Sequence, residues 1–235
     1  TEDRFYPSLL DQLEAEDWEE LKLFSLPQES PTLAILPDLA RQRGYRVRIE
    51  EEDVAPGVVL PDSWDEYLQT LSKKDRHELR RKLRRLESAE QGFGWYVHSE
   101  IFEVEDSLED FFALMRHSKE EKNIFLTGPR EKFFRNMVLK FADVGILRLF
   151  FMELGGERVA AALCFDYGSS RFLYNSGFNP DYGYYSVGLL LHALCLKDAI
   201  EEGKSYFDFL RGSEPYKYDL GAKNRSIYEM VVTRP

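Results

Sequence analysis

Downstream of Gly92 the apolar positions switch between a period near two and a period near 3.6, the spacings of strands and helices. Trp95-Tyr96-Val97-His98 reads as a strand. Ser107 with Asp110 marks a helix start, and Leu108, Phe111, Phe112 and Met115 fall on one face of that helix. Pro129 opens a second helix with Phe133, Phe134, Met137, Val138 and Phe141 inward. Residues 146–153, 158–166 and 172–175 then read as three antiparallel strands, joined at Gly155-Gly156 and at Gly168-Ser169-Ser170. Ser186 is expected to cap a helix to Glu202 with Val187, Leu190, Leu191 and Leu194 inward, and Gly203 to end it. Tyr206 to Leu210 is a short apolar strand, and Ile227 to Thr233 supplies a last one.

Upstream, the pattern is shorter and more broken. Trp18 to Leu26 alternates partially, Pro31 to Gly44 is helical, and Tyr45 to Ile49 and Val58 to Leu60 are strands. So small a set cannot bury both faces of a sheet, so residues 1–60 are expected to be a partial lobe leaning on a main domain over 61–235. Pro61-Asp62-Ser63-Trp64 starts a helix through Leu71. Ser72 then caps another, with Asp75 at the third position. That second helix carries Lys73, Lys74, Arg76, Arg80, Arg81, Lys82, Arg84 and Arg85 against a narrow stripe of Leu79, Leu83 and Leu86. Like charges at i, i+4 repel, so an anion should offset them: the chain's own surplus of carboxylates in the simpler view, a phosphorylated or acidic ligand in the sharper one. The implied fold class is α+β, a mixed and mostly antiparallel sheet flanked by helices.

Composition narrows the function. The 235 residues are 43% hydrophobic with 14% aromatics, enough for a packed core. A net charge of −11 argues against a general binder of nucleic acid or anionic membrane, though not against a local basic patch. No apolar run approaches a membrane span of about 20 residues, and the charged start shows no signal peptide, so no membrane insertion is expected. Cys164 and Cys195 lie in apolar segments and read as buried thiols, which suits a reducing cytoplasm. There is no HExxH, no Cys/His ligand spacing and no GxSxG, so no metal site and no serine-type nucleophile is expected.

Three stretches carry candidate chemistry. After the Tyr206–Leu210 strand, Asp208, Arg211, Glu214, Tyr216 and Lys217 gather an acid, a base, a second acid, a phenol and an amine round a turn made by Gly212 and Pro215. Ligands of open sheets bind beyond strand carboxyl ends, which favours a site there over a turn in which Asp208 and Arg211 merely pair. The helix start Ser186-Val187-Gly188 offers free backbone N–H groups to a pyrophosphate. Tyr174-Asn175-Ser176-Gly177 is either a polar strand end entering a loop or a set of hydrogen-bonding groups for a ligand amide.

The element order resembles the GNAT acyltransferase superfamily. Trp64-Asp65-Glu66-Tyr67-Leu68, the run from Leu71 to Leu86, and Phe207-Asp208-Phe209-Leu210-Arg211-Gly212 with Tyr216-Lys217 resemble the CelD-type, BioF2-like acetyltransferase domain, which is related to Fem-type aminoacyl transferases with two GNAT-like lobes. The resemblance implies a donor of acetyl- or other acyl-coenzyme A in a splay between the 172–175 and 206–210 strands. Tyr174 and Asn175 would flank it, and Ser186, Val187 and Gly188 would take the pyrophosphate. A small-molecule amine, on an amino acid, a sugar or an envelope or exopolysaccharide precursor, would attack directly. It further implies Glu214 or Asp208 as base, Tyr216 as acid, and Arg211 and Lys217 with Ser176 on the acceptor. Lys217 matches the Fem-type lysine placed shortly before a glycine, here Gly221. The coenzyme A signature Q/R-x-x-G-x-G/A is absent from residues 179–188. An aminoacyl-tRNA donor served by the basic helix therefore stays open, as does a degenerate, non-catalytic binding module.

Overall fold

The computed structural model describes residues 2–234. In chain order the elements are α1 (Glu2–Glu14), β1 (Glu20–Pro27), α2 (Pro31–Gln42), β2 (Arg46–Val54), β3 (Gly57–Val59), α3 (Trp64–Thr70), α4 (Lys73–Glu87), β4 (Phe93–His98), α5 (Ile101–Ser118), α6 (Glu120–Phe125) and α7 (Gly128–Asp143). There follow β5 (Leu147–Leu154), β6 (Glu157–Tyr167), β7 (Ser170–Phe178), a 3-10 helix (Pro180–Tyr185), α8 (Val187–Glu201), β8 (Tyr206–Asp208), α9 (Pro215–Asp219) and β9 (Ser226–Thr233). They form two compact units, one of residues 1–56, 211–213 and 224–235 and one of residues 57–210 and 214–223.

The first unit is a three-stranded antiparallel sheet in the order β1-β9-β2. Its core is Tyr6, Leu10, Leu36, Ala40, Met230 and Val232. β9, read from sequence as the last strand of the downstream domain, is therefore the centre of this sheet. Sequence order hides the pairing because β9 and its partners lie more than 170 residues apart.

The second unit has a six-stranded sheet in the order β3-β8-β7-β6-β5-β4, antiparallel except for the parallel pair β7–β8. Both faces are covered, as the nearly unbroken apolar runs of β5 and β6 require. Phe150 and Met152 of β5 and Ala160, Ala162 and Cys164 of β6 face one core with Tyr67, Leu79, Leu86 and Leu190. Leu149, Phe151, Ala161 and Leu163 face the other, with Leu108, Phe111, Phe112, Phe134 and Val138. The alanines of β6 keep the sheet thin enough for α8 to lie close. α5 begins two turns before Ser107, which is buried inside it, because Val104 extends the Leu108–Phe111 stripe by one turn. Phe133, expected inward on α7, is 58% exposed. Ser72 caps α4 as expected: its Oγ accepts the Asp75 N–H at 3.1 Å and donates to Asp75 Oδ2 at 2.6 Å.

Two local features set the geometry of the sheet's middle. β8 pairs with β7 only at Ser170–Tyr206, Arg171–Phe207 and Phe172–Asp208. Beyond them β7 carries a bulge: Asn175 pairs with Leu163 and Leu173 with Cys164, leaving Tyr174 as the extra residue. A bulge bends and twists its strand, here on the side away from β8. β8 ends where Leu210 takes a left-handed conformation (φ 57°), with Asp208 Oδ1 accepting the Leu210 N–H at 2.7 Å. The strand predicted to Leu210 accordingly stops two residues sooner. At the closed end of the pair, Arg171 is fully buried and donates to Asp166 Oδ1 and Oδ2 (2.8 and 2.9 Å), Asp198 Oδ2 (2.5 Å) and Glu202 Oε2 (2.9 Å). A buried guanidinium so fully paired fastens β7 to α8; removing it would take from Asp198 its ion-pair partner and leave Asp166 and Glu202 with longer contacts to Arg148 and Lys204. Among the described residues no helix is long and apolar enough to cross a membrane.

Candidate active site

Where β7 leaves β8, a cavity of about 400 Å³ opens. Its wall includes Ser118, Lys119 and Lys122 from the α5–α6 junction, Ser176 and Phe178 from β7, Ser186 to Leu189 and His192 from α8, and Glu214 and Tyr216 at α9. Six of the residues expected from sequence, Ser176, Ser186, Val187, Gly188, Glu214 and Tyr216, thus line one space. The other five do not. Tyr174 turns to the opposite side, against Phe134 and Phe165 at ring distances of 5.6 and 5.1 Å. Asp208 is buried in the turn that it holds. Arg211 bonds Asp53 Oδ2 at 2.8 Å and also Glu52, in the first unit. Asn175 and Lys217 stand one layer behind the wall.

That second layer is specific. Lys217 is 2% exposed, and its Nζ donates to the Leu210 carbonyl at 3.0 Å and lies 2.9 Å from Glu214 Oε2. Burial, the largest single influence, would raise the Glu214 pKa, but the Lys217 hydrogen bond, a backbone hydrogen bond and the Lys217 and Lys119 charges together outweigh it, and the carboxyl titrates below its usual range. Glu214 is an anion at neutral pH, poorly disposed to take a proton. Tyr216 is pushed far up by burial, with the Glu214 charge adding to the effect, so its phenol stays protonated.

The free edge of β7 is occupied by the chain's own groups. Asn175 Oδ1 accepts the Ser176 N–H at 2.8 Å and the Lys122 ammonium at 3.1 Å, and Lys122 also donates to the Ser176 carbonyl. Lys122 was not legible as a site residue, because α6 is six residues long, polar and without an apolar stripe. Burial lowers its pKa to about 8, aided by the neighbouring Lys119 charge and opposed by that of Glu214. His192, also missed, packs 4.9 Å from the Tyr216 ring. Neither of its ring nitrogens has a hydrogen-bond partner among the described residues. Burial, with the Lys122 and Lys217 charges, lowers its pKa to about 3, so the imidazole is neutral.

At the start of α8, Ser186 is left-handed (φ 56°) and its hydroxyl does not cap the helix. It accepts instead from Arg85 Nη2 at 3.3 Å, and the same guanidinium lies 4.6 Å from the centre of the Tyr184 ring. The first N–H groups of α8 are left without an intrahelical acceptor, at the positive end of a 15-residue helix beside an arginine. A Cβ on Gly188 would come 3.0 Å from the Phe178 ring, so its small size serves the packing of that cavity wall. Among the described residues, no three His, Cys, Asp or Glu side chains converge as a metal site.

Comparisons with known proteins agree with this architecture. Solved structures of similar fold include FemX (13% identity, 97% of this chain and 75% of that chain, TM-score 0.72). L-PGS from Bacillus licheniformis is another (14% identity, 99% of this chain and 74% of that chain, TM-score 0.66). A third is the C-terminal DUF2156 domain of an Agrobacterium fabrum protein (14% identity, 100% of this chain and 75% of that chain, TM-score 0.66). At such identities the likeness is one of fold. No curated protein sequence matches the chain. The family model of the acetyltransferase (GNAT) domain matches residues 73–218, more than half of the chain and the whole of the cavity wall, so the chain belongs to the GNAT family and is an acyltransferase related in fold to Fem-type enzymes.

Proposed function

We propose that the chain is an N-acyltransferase that moves an acetyl or longer acyl group from a coenzyme A thioester to the amine of a small molecule. The observation that carries this reading is the cavity where β7 parts from β8, with α8 amides on one wall and Glu214 and Tyr216 on another. The amides of Val187 and Gly188, with Arg85 beside them, suit the donor's pyrophosphate. Glu214, anionic through Lys217, suits the acceptor's ammonium better than it suits the role of base, and Asp208, engaged in its own turn, suits neither. The exposed Lys119 at the rim favours an acceptor that also bears a carboxylate or phosphate, such as an amino acid or an envelope or exopolysaccharide precursor. Tyr216, kept protonated, is the donor for the leaving thiolate.

The test is turnover of acyl-coenzyme A with a panel of amines, followed by free thiol. The wild type is expected to release thiol only with an amine present. Tyr216→Phe should lose about 10²-fold or more in kcat with little change in the KM for the donor. Absence of turnover with any acyl-coenzyme A, or an unchanged kcat in the variant, would refute the reading.

One observation favours a second reading, an aminoacyl-tRNA donor. No carboxylate of the described residues pairs with Lys73, Lys74, Arg76, Arg80 or Arg84, which share a groove on α4 with Glu78 as its one acid. Glu78 is itself taken by Arg81 and Lys82. The chain's surplus acids therefore do not neutralise this ridge.

A further inference from the structure

We propose that Lys122 is the general base of the transfer, taking a proton from the acceptor's ammonium inside the cavity. The inference rests on the acyl-transfer reading and supplies the part which that reading leaves open, since Glu214 is held as an anion by Lys217 and Asp208 is enclosed in its turn.

The geometry favours Lys122 in three ways. It lines the cavity with Glu214 and Tyr216, so an ammonium drawn to Glu214 is held in the same enclosed space as the Lys122 amine. Its hydrogen bonds go to two neutral oxygens, Asn175 Oδ1 and the Ser176 carbonyl, and to no carboxylate among the described residues. A neutral amine still supplies two N–H donors for those oxygens and turns its lone pair to the cavity. The groups that face it are the Lys119 ammonium beside it, the Glu214 carboxylate and Tyr216 phenol at α9, and the neutral His192 of α8. Burial and Lys119 oppose the extra proton while Glu214 favours it, and the balance puts the pKa at about 8, in the range where a base works at neutral to mildly alkaline pH.

The protons balance as follows. Neutral Lys122 takes one proton from the acceptor R–NH₃⁺ and becomes an ammonium, and the freed amine attacks the thioester carbonyl carbon. The new C–N bond forms as the carbonyl electrons move to oxygen. Collapse of that oxyanion breaks the C–S bond, and the thiolate takes the Tyr216 proton. Tyr216 recovers a proton from the acylated nitrogen, and Lys122 returns its own to solvent before the next turnover.

The test compares pH–rate profiles of the wild type, Lys122→Arg and Lys122→Met with acetyl-coenzyme A and the best amine from the panel. Arginine keeps the charge and the hydrogen bonds but does not deprotonate in this range. The wild type should show an ascending limb in kcat/KM for the acceptor centred near pH 8. Lys122→Arg should keep the donor KM and the thermal midpoint while kcat falls at least about 10²-fold and the limb disappears. Lys122→Met, which keeps neither charge nor base, should lose the limb as well. A limb that persists in Lys122→Arg belongs to the amine itself, and with kcat within about three-fold of wild type it would overturn the assignment. Failure of the wild type to turn over any acyl-coenzyme A would instead remove the acyl-transfer reading, and this base with it.

Discussion

His192 shows how one side chain couples the site to stability. Its imidazole is buried without a hydrogen-bond partner among the described residues, an arrangement that costs about 1–3 kcal/mol per unsatisfied polar group. It protonates near pH 3 in the fold but near its ordinary 6.5 in the unfolded chain. Acid therefore favours the unfolded chain: the stability is complete above about pH 6.5 and is lost as pH falls towards 3, by at most about 1.4 kcal/mol per pH unit. Urea midpoints of the wild type and His192→Phe at pH 7 and pH 5 check this. The variant is expected to lose about 2 kcal/mol less between the two pH values. Parallel losses would show that the imidazole does not titrate this way. Nothing in the sequence around His192 distinguishes it from its helical neighbours. Its role arises from Tyr216 and Lys122, which reach it from other elements.

At the scale of elements, periodicity was a good guide wherever one face is apolar. The stripes of α4, α5 and α8 and the strands β5 and β6 appear as read, because burial enforces those periods. What periodicity did not show were the features that open the cavity. The Tyr174 bulge, the left-handed Ser186 and Leu210, and the short helices α6 and α9 depend on pairing and turn geometry rather than on an apolar pattern. α4 carries a separate prediction. If its unneutralised ridge serves a nucleic-acid donor, tRNA binding should weaken steeply between 50 and 200 mM salt, and Arg80→Glu with Arg84→Glu should flatten that dependence. Gel-shift titrations measure it. No tRNA binding at low salt, or a salt slope that the double variant leaves unchanged, would exclude that use of the helix.

For the whole molecule, the assignment of strands to sheets was the least legible level. β3 lies within the expected partial lobe by sequence yet pairs with β8, and β9 lies in the expected main domain yet completes the sheet of the first unit. Local pattern says that a segment is a strand; the choice of partner is made by long-range packing. Within the second unit, the residues proposed to bind donor and acceptor converge on a cavity beyond the end of the three-pair parallel ladder. The most direct test of that convergence is the thermal midpoint of the protein titrated with acetyl-coenzyme A, alongside a variant in which the cavity is filled. Gly183 lies on the wall and nothing stands within 4 Å of where its Cβ would be, so Gly183→Trp adds an indole at the cavity wall without backbone strain. At 100 times the dissociation constant a specific ligand adds about 2.7 kcal/mol, a rise of several degrees. The wild type should show that rise and Gly183→Trp, folded and of similar midpoint without ligand, should not. A wild-type midpoint indifferent to acyl-coenzyme A, or an equal rise in the filled variant, would contradict a thioester site between β7 and β8.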